Sequence, residues 1–405
     1  MMSPADQSAN PDGLQGTCDS AFEELARLFA SNFRSRGEVG ASLALFHKGR
    51  LVVDLWGGRK EPAGEAWDSD TISVVWSSTK GVAAIAAHHA VENGYIDLDE
   101  RISTYWPEFA CEGKDEATVA MVLDHSVGVP ALRAPVKPRG FADFDYMCDR
   151  VARERPFWRP GMRHGYHGFT YAWTLGGLFR RAVGASLGEY IQSELAGPLG
   201  ADFSLGLPHT EYHRVAPMIM PTDPLFGGKS LANHAMENKP AAPVTLMMTN
   251  NGGYDCNDPS YWNVEIASAN SMSNAKGLAT IYSAVANGEL LAPDTIARMG
   301  RTSMASYLDA TLLMPMRFGL GFMKTIDNRS HAKLVDCTLL LSEEAFGHVG
   351  FGGSIGFADP HARLGFGYTM NRMGAGVMVG ERAQLLIDAT YRALGYTSNA
   401  SGAWK

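Results

Sequence analysis

Apolar residues recur at helical spacing near the start of the chain, where Phe22, Leu25, Leu28, Phe29 and Phe33 share one face of a helix predicted over residues 19–35. The pattern then changes. In ASLALFHKGRLVVDLWGG two apolar stretches flank His47-Lys48-Gly49-Arg50, which predicts a β-hairpin. A third apolar, β-branched stretch, Thr71 to Trp76, runs straight into Ser77. The alanine-rich SSTKGVAAIAAHHAVENG after it reads as a helix that stops at Asn93-Gly94. From about residue 95 to 290 the signal is mostly helical, with helices expected over 171–183, 187–195 and 275–288. Residues 205–265 hold many Pro, Asn, Gly and Met with little period, and read as loops. Alternating and glycine-rich apolar segments return at 317–323, 346–357 and 364–370, and a final helix spans 379–394.

Strands at both ends with helices between them predict a discontinuous α+β fold. Residues 18–76 and 291–405 would form one α/β domain, an antiparallel sheet flanked by the first and last helices. Residues 77–290 would form a mostly helical domain, with the active site at the seam between the two.

Composition narrows the class. The 405 residues are 45% hydrophobic and 19% charged, a balance that supports a packed core rather than disorder. A formal net charge of −8 disfavours nucleic acid and anionic membrane surfaces as partners. No run of about 18 apolar residues predicts a membrane span. The start, MMSPADQSANPDGLQG, shows no basic segment followed by an apolar one. The five cysteines are scattered without CxxC spacing. Together these predict reduced thiols, a cytoplasmic protein and no zinc site.

Two serine motifs compete for the chemistry. GxSxG, the nucleophile elbow, occurs at Gly184–Gly188 around Ser186 and at Gly352–Gly356 around Ser354. An elbow needs a buried strand before the serine and a helix after it. Ser186 lies between two helices and Ser354 between two strand-like segments, so neither has that context. The second motif is Ser-x-x-Lys, which sets hydroxyl and amine one helical turn apart on one face. There the amine can take the hydroxyl proton if its pKa is lowered. Ser77/Lys80, Ser273/Lys276 and Ser330/Lys333 all fit. Only Ser77 comes off an apolar strand into a strong helix, where a helix N-terminus favours a developing oxyanion. The bland alternative is an N-cap serine with a solvated Lys80.

WSSTKGVAAIAAHHAVENGYIDLDERISTYWPEF resembles the first motif region of serine β-lactamases, D-alanyl-D-alanine peptidases and family VIII esterases, and MVLDHSVGVP resembles the helix and turn that follow in those families. The second family element, Tyr-x-Asn after Pro-Gly, is matched by Pro160-Gly161 leading to Tyr166. A literal Tyr261-Trp262-Asn263 lacks that lead. The third element, Lys/His-Thr-Gly, is matched by His348-Val349-Gly350 in GHVGFGGSIGFADPHARLGFGYTMNRM, whereas Lys324-Thr325 is followed by Ile326 and no hairpin. The resemblance, closest to class C β-lactamases and family VIII carboxylesterases, implies a β-lactamase/transpeptidase-like fold and acylation of Ser77 with Lys80 and Tyr166 as base and acid. It also implies an oxyanion hole from the amides of Ser77 and Phe351, and substrate contacts at His348, Gly350 and Gly168. No cofactor is needed.

Two departures bear on the substrate. Gly168 stands where the family has asparagine, and His348 can hold a carboxylate only when protonated or as a neutral donor. Both favour a small-molecule carboxylic ester, with short to medium acyl chains, over a β-lactam. Aromatic residues near the motifs (Trp76, Phe169, Trp173, Phe351) are candidates for an acyl pocket, and 205–265 for a cleft wall. A β-lactamase, a D,D-peptidase and an acyltransferase are the enzymatic alternatives. A non-catalytic penicillin-binding-like module is a further one.

Overall fold

The computed structural model describes residues 14–221, 229–330 and 334–405. Most of the N-terminal segment read above, residues 1–13, and Lys333 of one Ser-x-x-Lys pair lie outside them. The hairpin is β2 (Gly40–His47) and β3 (Arg50–Gly58), preceded by β1 (Gln15–Cys18). From the other end of the chain come β9 (Phe346–Val349), β10 (Ile355–Asp359) and β11 (Leu364–Met370). All six form one sheet in the order β1-β3-β2-β11-β10-β9. Every pairing in it is antiparallel, and β2 meets β11 with Ala41 opposite Met370 and His47 opposite Leu364.

Alternation along the strands gives the sheet two apolar faces. On one, the terminal helices Glu23–Ser35 and Glu381–Ala393 pack together, and Tyr391 stacks on Phe357 of β10. On the other lies the helix Ala275–Ala286, where small residues permit a close approach. A Cβ at Gly367 would come within 2.1 Å of the Ala275 carbonyl oxygen. This helix was expected in the helical part; packing on β11 and β2 puts it with the sheet instead. The other expected helices recur at Ser78–Glu92 and Tyr171–Val183. The predicted helix over 187–195 begins as α-helix at Leu187–Tyr190 and continues as a π-helical stretch, Ile191–Ala196.

Two expectations need correction. Thr71–Trp76 does not extend the main sheet: only β4 (Ser73–Val74) is regular, in a small sheet with β5 (Phe203–Ser204) and β6 (Met272–Ser273). The loop reading of 205–265 misses the helices Leu231–Glu237 and Pro243–Thr249, which are too short to show a period. Ser230 caps the first through the Asn233 amide, and Pro243 opens the second. A further pair, β7 (Met304–Ser306) and β8 (Met316–Phe318), runs beside the site. No helix among the described residues is long and apolar enough to cross a membrane.

Candidate active site

The site begins where β4 gives way to a helix. Trp76 adopts a left-handed φ of 48°, strain that in a bulky residue costs about 1–3 kcal/mol and needs support from its surroundings. The support is visible on both sides. The Val75 amide donates to the Ser271 carbonyl at 2.9 Å and the Ser271 amide to Thr79 Oγ1 at 3.1 Å. From the sheet, Ser354 Oγ donates to the Val75 carbonyl at 2.9 Å, and Ser78 Oγ to the His348 carbonyl at 3.1 Å. Ser77 itself stands at the N-cap of Ser78–Glu92, yet its hydroxyl makes no capping bond. It is half-buried while Trp76, Ser78, Thr79 and Lys80 around it are buried. The capping alternative therefore fails.

Lys80 is 0% exposed, and its Nζ lies 3.0 Å from Ser77 Oγ. The same nitrogen donates to the carbonyls of Gly168 and Ser268, each at 2.8 Å. Burial holds the amine well below its ordinary pKa of 10.5. A solvated lysine is excluded. Ser268 left no trace in the sequence because it contributes a backbone oxygen, which any residue supplies.

Tyr166 completes the group, with the Ser77 side chain close enough to lower its phenol pKa in part against burial. The Lys80 Nζ sits 4.9 Å from its ring centre, and burial pushes the phenol above its usual value. The Tyr166 ring stacks on Phe318 of β8. Its backbone is held by Asp309, a 0%-exposed carboxylate that accepts the Tyr166 amide at 3.1 and 3.0 Å and the Thr311 and Leu312 amides at 2.8 and 2.7 Å. His164 Nδ1 lies 3.1 Å from the same carboxylate. No motif marks Asp309, which lies far along the chain in a loop. Asp309→Ala is expected to lower the unfolding free energy by about 3 kcal/mol, because buried donors lose their acceptor. Urea titration of wild type and variant measures this, and an unchanged midpoint would refute the cradle.

The family model described as Beta-lactamase matches residues 25–391. The chain belongs to the Beta-lactamase family. Among curated proteins it is similar to "Esterase/beta-lactamase LipL" of Mycobacterium tuberculosis (strain ATCC 25618 / H37Rv), at 31% identity over 88% of this chain and 83% of that one. A solved family VIII carboxylesterase superposes with TM-score 0.81 and 34% identity, covering 94% of this chain and 99% of the other. A penicillin-binding protein homolog from Caulobacter crescentus gives 0.82 and 32%, with the same coverages. The β-lactamase/transpeptidase-like fold expected from the motifs is thus the fold of this protein.

Within that family frame the third element is buried at two residues. His348 is 0% exposed, Nδ1 bonds the Val349 carbonyl at 2.9 Å, and burial lowers its pKa to about 3. It is therefore neutral at pH 7 and enclosed beside Tyr166, so it cannot hold a substrate carboxylate as a cation. Gly350 is also buried. A Cβ there would come within 2.2 Å of the Val75 carbonyl oxygen, so the glycine permits close packing of β9 against the turn before Ser77. Phe351 is half-buried, with its ring edge-on to Trp76 at 5.6 Å. Among the described residues the Ser77 and Phe351 amides donate to no protein acceptor.

At the Tyr-x-Asn position, Gly168 is not simply a vacancy. A Cβ there would lie 2.3 Å from the Met247 sulfur, so the thioether fills that space. Tyr254, from the segment 205–265, packs edge-on against both Trp76 and Phe169. A wall of Phe351, Trp76, Tyr254 and Phe169 results. Trp173, a candidate for it, is fully buried core.

The decoy motifs are structural. Ser186 caps Leu187–Tyr190 in a capping box and donates to Glu265 at 2.6 Å. Ser273 donates to the Asp202 carbonyl while Lys276 pairs with Asp54. Asn263 is exposed. Lys324 is spent on the carbonyls of Glu343 and Ala345.

Proposed function

We propose that the protein is a serine carboxylesterase that cleaves small-molecule esters with short to medium acyl chains through an acyl-enzyme on Ser77. The observation that carries this reading is the position of the Lys80 amine, buried 3.0 Å from Ser77 Oγ and bonded to two carbonyls. A neutral amine has two N–H groups and one lone pair. The carbonyls of Gly168 and Ser268 take the N–H groups, which leaves the lone pair facing the serine hydroxyl. The lowered pKa of Lys80 favours that neutral form, whereas Tyr166 stays a neutral phenol. Lys80 is then the base and Tyr166 the acid.

In acylation the Ser77 hydroxyl attacks the ester carbonyl as its proton passes to Lys80. The Ser77 and Phe351 amides hold the oxyanion. Tyr166 protonates the departing alkoxide, drawing on the proton that Lys80 has taken. In deacylation water attacks the acyl-enzyme, gives its proton back through Tyr166 and Lys80, and Ser77 leaves as the free hydroxyl.

Esters are favoured over β-lactams because Gly168 offers no side-chain amide and the Met247 sulfur blocks the space one would take. The name of the family VIII carboxylesterase supports the same choice, whereas that of LipL carries both activities. The test is p-nitrophenyl butyrate hydrolysis by wild type and Ser77→Ala, with nitrocefin in parallel. The expected outcome is ester turnover that vanishes in the variant, with little nitrocefin cleavage. Undiminished activity in Ser77→Ala would remove Ser77 as nucleophile, and dominant nitrocefin turnover would make the enzyme a β-lactamase.

A further inference from the structure

Beside Met247 lies a gap of about 10 Å³, lined among others by Leu132, Phe141, Phe169, Trp173, Leu246 and Met247. That is too small for anything beyond a single water, and most of the lining is apolar, with Thr170 and Asn250 its polar members. Met247 lines it and also meets Gly168, where a Cβ would come within 2.3 Å of its sulfur and 2.7 Å of its Cγ. The backbone that carries Met247 is well anchored. Thr245 Oγ1 donates to the Ala235 carbonyl at 2.7 Å, and Asn250 Nδ2 to the Leu132 carbonyl at 2.8 Å. The Met247 side chain is an unbranched thioether, the kind that re-packs most readily.

The same spot lies beside the nucleophile, since the Gly168 carbonyl accepts from the Lys80 amine that contacts Ser77. Lys80 and Tyr166 occupy the side of Ser77 that handles protons. The apolar side is the wall of Trp76, Tyr254 and Phe169, and Phe169 lines the same gap as Met247.

We infer that Met247 is the plug of an acyl-binding pocket and sets the longest acyl chain the enzyme takes. The inference rests on the ester reading above. With the thioether in place, acetyl and butyryl groups fit; with it withdrawn, the chain enters the space lined by Phe141, Phe169 and Trp173. No bond is made or broken by Met247, which is a specificity residue and not a catalytic one.

The experiment compares wild type, Met247→Ala, Met247→Val and Met247→Phe on p-nitrophenyl acetate, butyrate and octanoate, together with ethyl and hexyl butyrate. In Met247→Ala the ratio of kcat/KM for octanoate to that for acetate should rise at least about tenfold. Met247→Val should rise by less, and Met247→Phe should fall below wild type. The ethyl-to-hexyl preference should stay unchanged. If the alanine variant fails to fold, the valine and phenylalanine variants still decide by moving the ratio in opposite directions. An unmoved acyl ratio with ester cleavage intact overturns the plug alone, as does a shift confined to the alcohol series. Absence of ester cleavage by the wild type overturns the esterase reading and the plug with it.

Discussion

Lys80→Met is expected to lower kcat/KM for p-nitrophenyl butyrate by about 10³-fold while the protein stays folded. Methionine matches the length and apolar stem of lysine, so the buried channel beside Ser77 remains filled. What disappears is the amine 3.0 Å from Ser77 Oγ. The carbonyls of Gly168 and Ser268 lose their shared donor, at about 1–3 kcal/mol each, offset by the desolvation that the buried amine no longer suffers. The variant therefore separates catalysis from stability. A matching signature belongs to the wild type. Because burial pulls the Lys80 pKa well below 10.5, kcat/KM should rise with pH and reach its plateau well before that value. Steady-state rates across pH and urea titrations of both proteins measure these outcomes. A Lys80→Met variant within about tenfold of wild type would transfer the base role to Tyr166.

The second large effect concerns acid. His88, His167 and His348 are buried and neutral, with pKa values lowered from 6.5 to about 4, about 3 and about 3. Desolvation is the first cause in each. Their folded pKa values lie below the unfolded ones, so the unfolded chain binds more protons as pH falls. Stability is thus fully present above about pH 6.5 and is lost on acidification toward pH 4 and 3. Each histidine contributes up to about 1.4 kcal/mol per pH unit, and the three together about 10 kcal/mol between pH 6.5 and 4. That is comparable with the whole stability of a typical domain. Glu38 and Asp124, whose carboxyl pKa values burial raises, act in the opposite direction as pH falls through those raised values. The urea midpoint should fall steeply between pH 7 and 5, with unfolding complete before pH 3. A midpoint constant over that range would mean that the histidines open to water without unfolding.

Much of this molecule is legible along the chain because its signals are local. The spacing of Phe22, Leu25 and Phe29 marks the first helix, and the apolar runs around Lys48-Gly49 mark the hairpin. Ser77 and Lys80 can be paired from sequence because a helix brings residues three apart onto one face. Tyr166 needed the Pro160-Gly161 context, since a lone tyrosine has no periodic signature. Even the departure at Gly168 is visible as a missing side chain.

What the chain order conceals is set by contacts between distant segments. The acceptors that fix Lys80 are backbone oxygens of Gly168 and Ser268, and Tyr166 is held by Asp309 through an amide. Backbone groups are the same in every residue, so no sequence pattern announces them. His348 illustrates the opposite case. Its identity left a cationic contact and a neutral donor both open, but burial decides its charge, and burial depends on how β9 packs against the helix that begins at Ser78. Met247 lies in a segment without period, and only folding brings its sulfur against Gly168. The sequence by itself determined the family and the elements that carry its motifs, because helical and strand spacing are short-range properties. The tertiary structure decided protonation, support and access, because desolvation and close packing are properties of the assembled core.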